Sequence, residues 1–358
     1  MTTVERVGAR AYRVPTPGPE ADGTLEWDAT TIVVVHAEAG GLRGLGWTYA
    51  DAACVPLIEG VLSGAVRGRP VLDVPASWAA MQHAIRNLGR PGLVSCAMSA
   101  VDIALWDAAA RSLGLPVSRL LGRVHDEVAV YGSGGFTTLS DDELTAQLDH
   151  WAHRQRIPRV KIKIGESRDR DLDRVALARK AIGEDTALYV DANGAYSAGE
   201  AGRLLGPLTD AGVTWFEEPV SSDDLDGLAR LRTAGGPDIA AGEYGYDLPA
   251  FARLLPVVDC LQVDVTRCGG YTEWRRATAL AAAVNRDVSA HCAPNLSAHA
   301  AVTTPNFRHI EWFADHDRIE RLFFDGCLDP AGGTVTPSMA TPGHGLTFRA
   351  DAAAEYTL

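Results

Sequence analysis

The stretch RVKIKIG, residues 159–165, alternates basic and apolar side chains with the period of two that indicates a β-strand. Lys161 and Lys163 therefore share one face of that strand. The chain has only three lysines, Lys161, Lys163 and Lys180, among 33 basic residues. Charged residues often protect an exposed edge strand, but arginine would serve there equally well. Lysine, unlike arginine, can have its pKa lowered enough to act as a base. The stretch alone leaves both interpretations open.

Short β-rich runs recur around this stretch, and a helical pattern follows each of them. The eight predicted strands span residues 128–132, 159–164, 187–191, 213–217, 238–242, 260–265, 287–291 and 309–312. Eight such repeats predict an α/β fold, a (β/α)8 TIM-type barrel over residues 126–325. Residues 1–125 lack the rhythm and predict an α+β capping domain. The turn-rich residues 326–358 are expected to return to that cap and complete it.

The predicted cap contains a β-hairpin, a polar connection and a helix. Residues 31–36 and 42–49 form the hairpin, with Gly40 and Gly41 at its turn. The proline- and glycine-rich residues 16–28 read as a loop, either a mobile lid or a plain surface excursion. Small residues at helical spacing in residues 97–107 predict a buried helix.

Composition limits the partners and the compartment. The net charge is −13 and no basic run occurs, which argues against nucleic acid and anionic membranes as partners. The N-terminus is too charged for a signal peptide, and no stretch is expected to reach the roughly 18 apolar residues of a membrane span. Six cysteines without a CxxC pair predict reduced thiols, no structural zinc and a cytoplasmic location.

One ionisable residue lies at the end of each of seven consecutive predicted strands. The gaps between them, starting from Lys163, are 28, 26, 26, 21, 27 and 20 residues, each about one βα unit. Because active sites of such barrels lie at the C-terminal strand ends, these side chains should meet. They are Lys163 with Lys161, Asp191, Glu217, Glu243, Asp264, His291 and Glu311.

Two groups within this set indicate specific chemistry. Three carboxylates from adjacent strands, Asp191, Glu217 and Glu243, suit Mg²⁺. Asp264 beside His291 would fix the imidazole tautomer and raise its pKa, as in a general acid–base pair. Strand alternation directs Glu218 away from the site. His299 competes with His291 but falls in the following helix.

In this pattern the chain resembles the enolase superfamily, and within it the mandelate racemase subgroup. The resemblance covers essentially the whole chain. It rests on the order and spacing of the AMSAVDIALWD helix, the KIK pair, DAN, FEEP, GE and the strand-end Asp264, His291 and Glu311. Muconate-lactonising relatives carry a lysine near the sixth strand; residues 263–266, VDVT, contain none, which argues against that subgroup.

The resemblance implies roles for these residues. Asp191, Glu217 and Glu243 would bind one Mg²⁺ per subunit. Lys163 would be the base on one face of the substrate, with Lys161 tuning it, and His291 with Asp264 would act on the other face. Glu311 would hydrogen-bond the substrate carboxylate, and Asn193 would lie close to the substrate.

The implied chemistry is removal of a proton α to a carboxylate to give an enediolate. It requires a neutral lysine, so the two lysines are expected to lower each other's pKa with help from Mg²⁺. A neutral Glu311 would donate a hydrogen bond to the enediolate.

Dehydration of an acid sugar to a 2-keto-3-deoxy acid is the expected reaction, because acidic residues 20–28 suit a polyhydroxylated substrate. A racemase or epimerase of a 2-hydroxy acid is the alternative, for which Trp27, Trp47 and Tyr49 would contact a ring. Arg86 and Arg90 are candidates for a distal carboxylate or simply surface residues. A non-catalytic scaffold would not need this set. A homo-oligomer acting on a small carboxylate is expected.

Overall fold

The computed structural model describes residues 2–358, and the fold begins with a three-stranded antiparallel sheet. Its strands are β1 (Arg6–Ala21), β2 (Glu26–Ala39) and β3 (Leu42–Tyr49). β2 and β3 form the predicted hairpin around Gly40 and Gly41, which is confirmed. The prediction of a loop over residues 16–28 was wrong, because β1 and β2 continue through most of it.

A bulge explains why the sequence of this hairpin looked like a loop. The strand register shifts between Pro15 and Glu20, so the prolines at 17 and 19 lie where no ladder hydrogen bond is needed. The true turn is only Asp22–Leu25, closed by the Asp22 amide donating to the Leu25 carbonyl at 3.0 Å. The hairpin is therefore an ordered arm rather than a structureless loop.

Four helices follow the sheet. They are α1 (Cys54–Val66), α2 (Val74–Ala84), α3 (Leu93–Ser112) and α4 (Val117–Leu121). α3 packs its small residues directly on β3, where a Cβ on Gly44 or Gly46 would collide with the carbonyls of Ala104 and Ala100. The predicted burial of this helix is confirmed.

The expectation about membrane-spanning stretches was wrong for α3. Its 20 residues are long and apolar enough to cross a membrane by length and composition, with a mean hydropathy of 1.5. However, 89% of the apolar window is buried inside the fold, as in the core helix of a soluble protein. By itself this helix is weak grounds for a membrane location.

Eight parallel strands then close into a barrel, as predicted. They are β4 (Val128–Ser133), β5 (Arg159–Lys163), β6 (Ala187–Asp191), β7 (Val213–Glu217), β8 (Asp238–Ala241), β9 (Cys260–Val263), β10 (Asp287–Ala290) and β11 (Phe307–Phe313). Each strand pairs with the next along the chain, and β11 pairs with β4 to close the ring. The (β/α)8 fold class is confirmed.

Helices connect the strands on the outside of the barrel. They are α5 (Asp141–Asp149), α6 (Arg168–Ile182), α7 (Ala198–Asp210), α8 (Leu225–Ala234), α9 (Leu248–Leu254), α10 (Gly270–Ala283), α11 (Pro294–Ala301) and α12 (Ala314–Phe323). Reciprocal capping boxes start α5, at Ser140 and Glu143, and α7, at Ser197 and Glu200. These caps orient the helices that carry the chain back to the next strand.

The C-terminal residues contact both parts of the fold. The two-residue strand β12 (Phe324–Asp325) pairs with β14 (Thr347–Phe348), while β13 (Thr334–Val335) adds to barrel strand β4. The Phe348 ring lies 5.8 Å from the Tyr12 ring of the cap sheet, and a short helix, α13 (Ala350–Ala353), follows. The division of the chain at residues 125 and 325 stays a prediction.

Candidate active site

Both lysines of β5 point into the mouth of the barrel and are buried by carboxylates. Lys161 Nζ lies 2.5 Å from Glu217, 2.7 Å from Glu311 and 3.2 Å from Asp191. Lys163 Nζ lies 2.6 Å from Asp191 Oδ2 and 3.0 Å from Asn193 Oδ1. The strand is an interior one, between β4 and β6, so the exposed-edge interpretation is excluded.

The charge state of these lysines differs from the expectation. Burial is the largest single influence on the pKa of Lys163 and lowers it. The carboxylates of Asp191, Glu311 and Glu217 together outweigh burial and the like charge of Lys161, so the pKa rises above its usual range. The pKa of Lys161 is raised in the same way, chiefly by Glu217 and Glu311 against its burial. Lys161 does lower the pKa of Lys163, as predicted, but the expected net lowering was wrong, because ion pairing with the carboxylates is stronger than the repulsion between the lysines.

Three carboxylates at the ends of β6, β7 and β8 converge as predicted. One oxygen from each of Asp191, Glu217 and Glu243 lies within 4.8 Å of the others. The Glu217 carboxylate also accepts a hydrogen bond from Trp215 Nε1 at 2.9 Å. Burial and the neighbouring Asp191 raise the pKa of Glu217 to about 8. Buried Glu243 Oε2 accepts no well-aligned hydrogen bond, although His291 Nε2 lies 3.2 Å away.

This donor set fits Mg²⁺. A hard divalent cation prefers carboxylate oxygens with water and substrate oxygens completing its shell. The cluster offers three carboxylates and one buried oxygen without a hydrogen bond. Bound positive charge would also relieve the repulsion that raises the pKa of Glu217.

His291 and Asp264 form the predicted pair. His291 Nδ1 donates to Asp264 Oδ2 at 2.6 Å, and Asp264 Oδ1 accepts from the backbone and hydroxyl of Thr266 at 2.6 and 2.7 Å. Burial would lower the pKa of His291, but Cys292 and the surrounding carboxylates raise it well above its usual range. The imidazole therefore holds a proton that it can deliver at Nε2.

Glu311 lies in the site, but not as a neutral acid. Burial would raise its pKa, yet Lys161 and His291 lower it below its usual range. Glu311 Oε1 accepts from Ser133 Oγ at 2.6 Å, and Oε2 accepts from the Cys292 amide at 3.2 Å. The expectation of a protonated, donating Glu311 was wrong, because the lysine beside it stabilises the ionised form.

Glu218 is buried near the cluster, contrary to simple strand alternation. Its backbone has a φ of 38°, which breaks the period of two after β7. Burial and then Glu243 raise its pKa well above the usual range, and its Oε1 has no hydrogen-bond partner. Glu218 also lines a groove of about 680 Å³ together with Asn193 and Tyr244.

Some other sequence candidates lie outside the site. His299 in α11 contacts the His344 carbonyl at 3.1 Å, and burial lowers its pKa to about 3. Arg90 pairs with Glu273 at 3.0 Å, and Arg86 is exposed. Trp47 is buried against Phe324 in the cap. None of these residues was placed in the site by the resemblance.

Several neighbours of the site were missed by sequence reasoning. Arg267 Nη1 lies 3.1 Å from Glu243, and its Nε lies 3.4 Å from Asp264, so this arginine joins the carboxylate cluster to the histidine pair. Ser133 and Cys292 contact Glu311. Ser133 ends β4, so its position at a strand end is a signal in the sequence, but its side chain is not ionisable.

The hairpin arm of the cap lies over the strand ends. A Cβ on Gly23 would lie 2.7 Å from the Ile164 carbonyl and 2.8 Å from the Ala192 carbonyl, next to Lys163 and Asp191. Behind the tip, Trp27 donates to the buried Glu20 at 3.0 Å and packs edge-on against Phe136. The arm thus closes one side of the mouth with a polar tip and an aromatic base.

Comparison with known families accounts for nearly the whole chain. Residues 8–122 match the family described as "Mandelate racemase / muconate lactonizing enzyme, N-terminal domain". Residues 143–352 match the family described as "Enolase C-terminal domain-like". The first match lies in the cap, and the second covers barrel strands β5 to β11 and most of the C-terminal segment.

Curated relatives are named for reactions of sugar acids. The chain is 31% identical to a 3,6-anhydro-alpha-L-galactonate cycloisomerase of Streptomyces coelicolor, over 96% of this chain and 97% of the relative. It is 30% identical to a D-galactarolactone cycloisomerase of Agrobacterium fabrum, over 99% and 98%. It is 29% identical to an L-talarate/galactarate dehydratase of Salmonella typhimurium, over 79% and 74%.

Solved structures agree with the fold and the cofactor. A mandelate racemase/muconate lactonizing enzyme-like protein from Rubrobacter xylanophilus is 50% identical, with a TM-score of 0.97 over 99% of this chain and 100% of that one. A racemase from Streptomyces coelicolor A3(2), crystallised with bound magnesium, is 29% identical with a TM-score of 0.93, over 99% and 100%. Together with the carboxylate cluster, this confirms Mg²⁺ as the predicted cofactor.

Proposed function

Because the chain belongs to the mandelate racemase/muconate lactonizing enzyme family of the enolase superfamily, we propose that it eliminates the β-oxygen of an acid sugar. The reaction starts with removal of the proton α to the carboxylate. Departure of a β-hydroxyl then gives a 2-keto-3-deoxy acid and water. Asp191, Glu217 and Glu243 would hold Mg²⁺. The bound ion would stabilise negative charge on the substrate carboxylate and offset the negative charge of the protein carboxylates, which raises the pKa of Lys163.

The arrangement of the two acid–base groups carries the proposal. Lys163 touches the carboxylate cluster at Asp191, at 2.6 Å, while His291 Nε2 approaches it from the other end, at Glu243, at 3.2 Å. A substrate carboxylate over the cluster would have Lys163 on one face of Cα and His291 on the other. Such two-sided placement suits removal of a proton on one side and departure of an oxygen on the other.

Each residue then has a task in the elimination. Neutral Lys163 Nζ takes the α-proton, and the electron pair moves into the substrate carboxylate. Protonated His291 Nε2 gives its proton to the oxygen as the Cβ–O bond breaks, while Asp264 holds the ring through Nδ1. Tautomerisation of the resulting enol gives the 2-keto acid.

Lys161, Glu311 and Asn193 position the substrate. Lys161, held as an ammonium by Glu311 at 2.7 Å, donates to the substrate carboxylate as charge develops on it. Ionised Glu311 keeps that ammonium in place, which replaces the neutral-acid role expected from the sequence. Asn193, 3.0 Å from Lys163, lines the groove beside the site and can contact substrate hydroxyls.

Ring opening is the second candidate, and the names of two curated relatives favour it. If the β-oxygen belongs to a ring of the substrate, the same elimination opens the ring. The leaving oxygen then stays in the molecule, so no water is released. The product is then an isomer of the substrate rather than a dehydrated acid. The residues and the proton transfers are the same in both cases.

A panel of acid sugars tests the proposal. Aldonic and aldaric acids, their lactones and anhydro acids would be incubated with Mg²⁺ in D₂O, with 2-keto acid formation and α-deuterium incorporation as readouts. We expect a 2-keto acid from at least one compound. Deuterium exchange without keto acid would assign a racemase or epimerase. No reaction with any 2-hydroxy acid would support the scaffold interpretation.

His291→Asn separates the two faces of the site. The variant should keep α-proton exchange through Lys163 and lose keto acid formation by roughly 10²- to 10⁴-fold, the usual contribution of a general acid. His83→Asn, at an exposed position of α2, is the matched control and should behave as wild type. An unchanged rate of keto acid formation in His291→Asn would contradict the assignment.

A further inference from the structure

A second group of metal-binding side chains lies beside the carboxylate cluster. His291, Cys292 and Glu311 each offer one donor atom, and all three side chains are buried; the first two directly follow β10, and Glu311 lies within β11. Cys292 has no part in the elimination described above. Its thiol nevertheless contacts both the proposed proton donor and the carboxylate that holds Lys161.

We propose that His291, Cys292 and Glu311 form an inhibitory Zn²⁺ site. The inhibition rests on the proposed function, because the ion would occupy the atom of His291 that delivers the proton. The binding itself does not rest on it. The site shares no ligand with the three carboxylates that hold Mg²⁺, although His291 Nε2 lies 3.2 Å from Glu243 Oε2, and it is selective for a different kind of cation.

The distances between the donor atoms suit a tetrahedral ion. His291 Nε2 lies 3.3 Å from Cys292 Sγ and 3.7 Å from Glu311 Oε2, and the sulfur lies 3.4 Å from that oxygen. The point equidistant from these atoms is about 2.0 Å from each, close to the bond lengths of Zn²⁺ to nitrogen and oxygen and slightly short of that to sulfur. A small displacement of the ion from their plane lengthens all three contacts.

The surrounding contacts hold the donors in a ligating arrangement. Asp264 accepts from His291 Nδ1 at 2.6 Å, which leaves the Nε2 lone pair for a metal once that atom is deprotonated, as in carboxylate–histidine–zinc groups. Lys161 and Ser133 bind Glu311 Oε1, so Oε2 is the oxygen directed to the cysteine. Cys292 has a φ of 49°, and this left-handed backbone keeps its thiol beside the histidine.

The donor types separate the two metals. A thiolate with imidazole and carboxylate favours Zn²⁺, whereas Mg²⁺ prefers carboxylate and water oxygens alone. Three protein ligands leave a fourth position for water, unlike a closed structural zinc site. Binding releases two protons to solvent, one from the Cys292 thiol and one from His291 Nε2, and Nε2 then coordinates the ion instead of carrying a proton.

Cobalt substitution tests the site without any substrate. Co²⁺ would be added to protein saturated with Mg²⁺, and the absorption spectrum recorded. We expect a thiolate-to-cobalt charge-transfer band and strong tetrahedral visible bands, both abolished by one equivalent of Zn²⁺. Cys292→Ala and Cys292→Ser should lack these bands, while Cys327→Ala, which removes a partly exposed thiol elsewhere, should keep them. Absence of the bands from wild type, or their persistence in both Cys292 variants, would overturn the proposal.

Inhibition supplies an independent arm. Under saturating Mg²⁺, the rate of each protein would be expressed relative to its own rate without Zn²⁺, and the Zn²⁺ concentration for half-inhibition should be roughly 10- to 100-fold higher for Cys292→Ala than for wild type. Equal inhibition of wild type and variant would place the zinc on the Mg²⁺ carboxylates and refute the proposal. Cobalt bands in a protein that turns over no acid sugar would leave the site standing while the proposed function fails.

Discussion

Lys163 is the residue on which the proposed chemistry depends. It is almost fully buried, yet its ammonium is stabilised by Asp191 at 2.6 Å, so its pKa is raised. To act as a base, Lys163 must lose its proton. The carboxylates that stabilise its protonated form are the same ones that suit Mg²⁺. The balance of charge between Lys163, the carboxylates and the bound Mg²⁺ therefore decides whether Lys163 can be neutral and act as a base.

Lys163→Ala should abolish catalysis while leaving the fold intact. Loss of the base predicts a fall of roughly 10²- to 10⁴-fold in α-proton exchange and keto acid formation. Asp191 keeps a cation, because Lys161 lies 3.2 Å from it, so the circular dichroism spectrum should not change. Solvent-deuterium exchange measured by NMR is the readout.

Lys180→Ala is the control for that variant. Lys180 is the only other lysine and is exposed on α6, so its removal should leave the rate unchanged. If Lys163→Ala exchanges the α-proton at the wild-type rate, another residue is the base. If both variants lose activity equally, the effect is not specific to the site.

At the scale of elements, the arm formed by β1 and β2 completes the barrel mouth. Asp22 Oδ1 accepts from the amides of Thr24 and Leu25 at 2.6 and 2.8 Å, which fixes the turn. Gly23 then rests against backbone carbonyls that neighbour Lys163 and Asp191. A backbone carbonyl cannot move aside by a side-chain rotation, so the backbone itself would have to shift to accommodate a larger residue.

Gly23→Ala should therefore impair catalysis more than stability. The added Cβ must displace either the arm or the ends of β5 and β6. Displacement of the residues that position a substrate costs roughly 10- to 100-fold in kcat/KM. Gly18→Ala in the same arm is the control, because no atom lies within 4 Å of its added Cβ. Equal kcat/KM values for the two variants would show that the tip does not position the site.

At the scale of the whole molecule, Asp107 joins three distant segments. Its Oδ2 accepts from the Leu45 amide of β3 at 2.8 Å and from Arg111 of α3 at 2.6 Å. Its Oδ1 accepts from the backbone amide of His344 in the C-terminal segment at 2.7 Å. Burial alone would raise the pKa of Asp107, but His344 and Arg111 lower it to about 2.

This shift predicts the direction of a pH effect on stability. A carboxylate whose pKa is lower in the folded chain stabilises the fold above its unfolded pKa, near 3.9, and this contribution disappears as the pH falls toward 2. At neutral pH it amounts to about 2–3 kcal/mol. Asp107→Asn should thus lower the unfolding midpoint clearly at pH 7 and by less at pH 3.

Thermal unfolding of both proteins between pH 7 and pH 3 measures this difference. Asp210→Asn, at an exposed position at the end of α7, should match wild type throughout. A gap between Asp107→Asn and wild type that stays constant across this range would mean that ionisation of Asp107 contributes nothing to stability.

The sequence by itself determined the fold class and the ionisable residues that the barrel strands bring to the site. Hydrophobic periodicity, eight repeats and their spacing place strand ends in order around a ring, so Asp191, Glu217 and Glu243 had to converge. The strand-end residues, but not Glu218 or Arg267, follow from the spacing of the repeats along the chain. The loop predicted over residues 16–28 failed because proline and glycine mark a bulge as readily as a loop.

Only the tertiary structure decided the charges and the closest neighbours. The raised pKa of Lys163, the ionised Glu311 and the inward-facing Glu218 depend on distances between segments far apart in the chain. The contact of Cys292 with Glu311 depends on a left-handed backbone at the end of β10. Electrostatic energy and desolvation vary with separation and burial in space, and neither quantity can be read from spacing along the sequence.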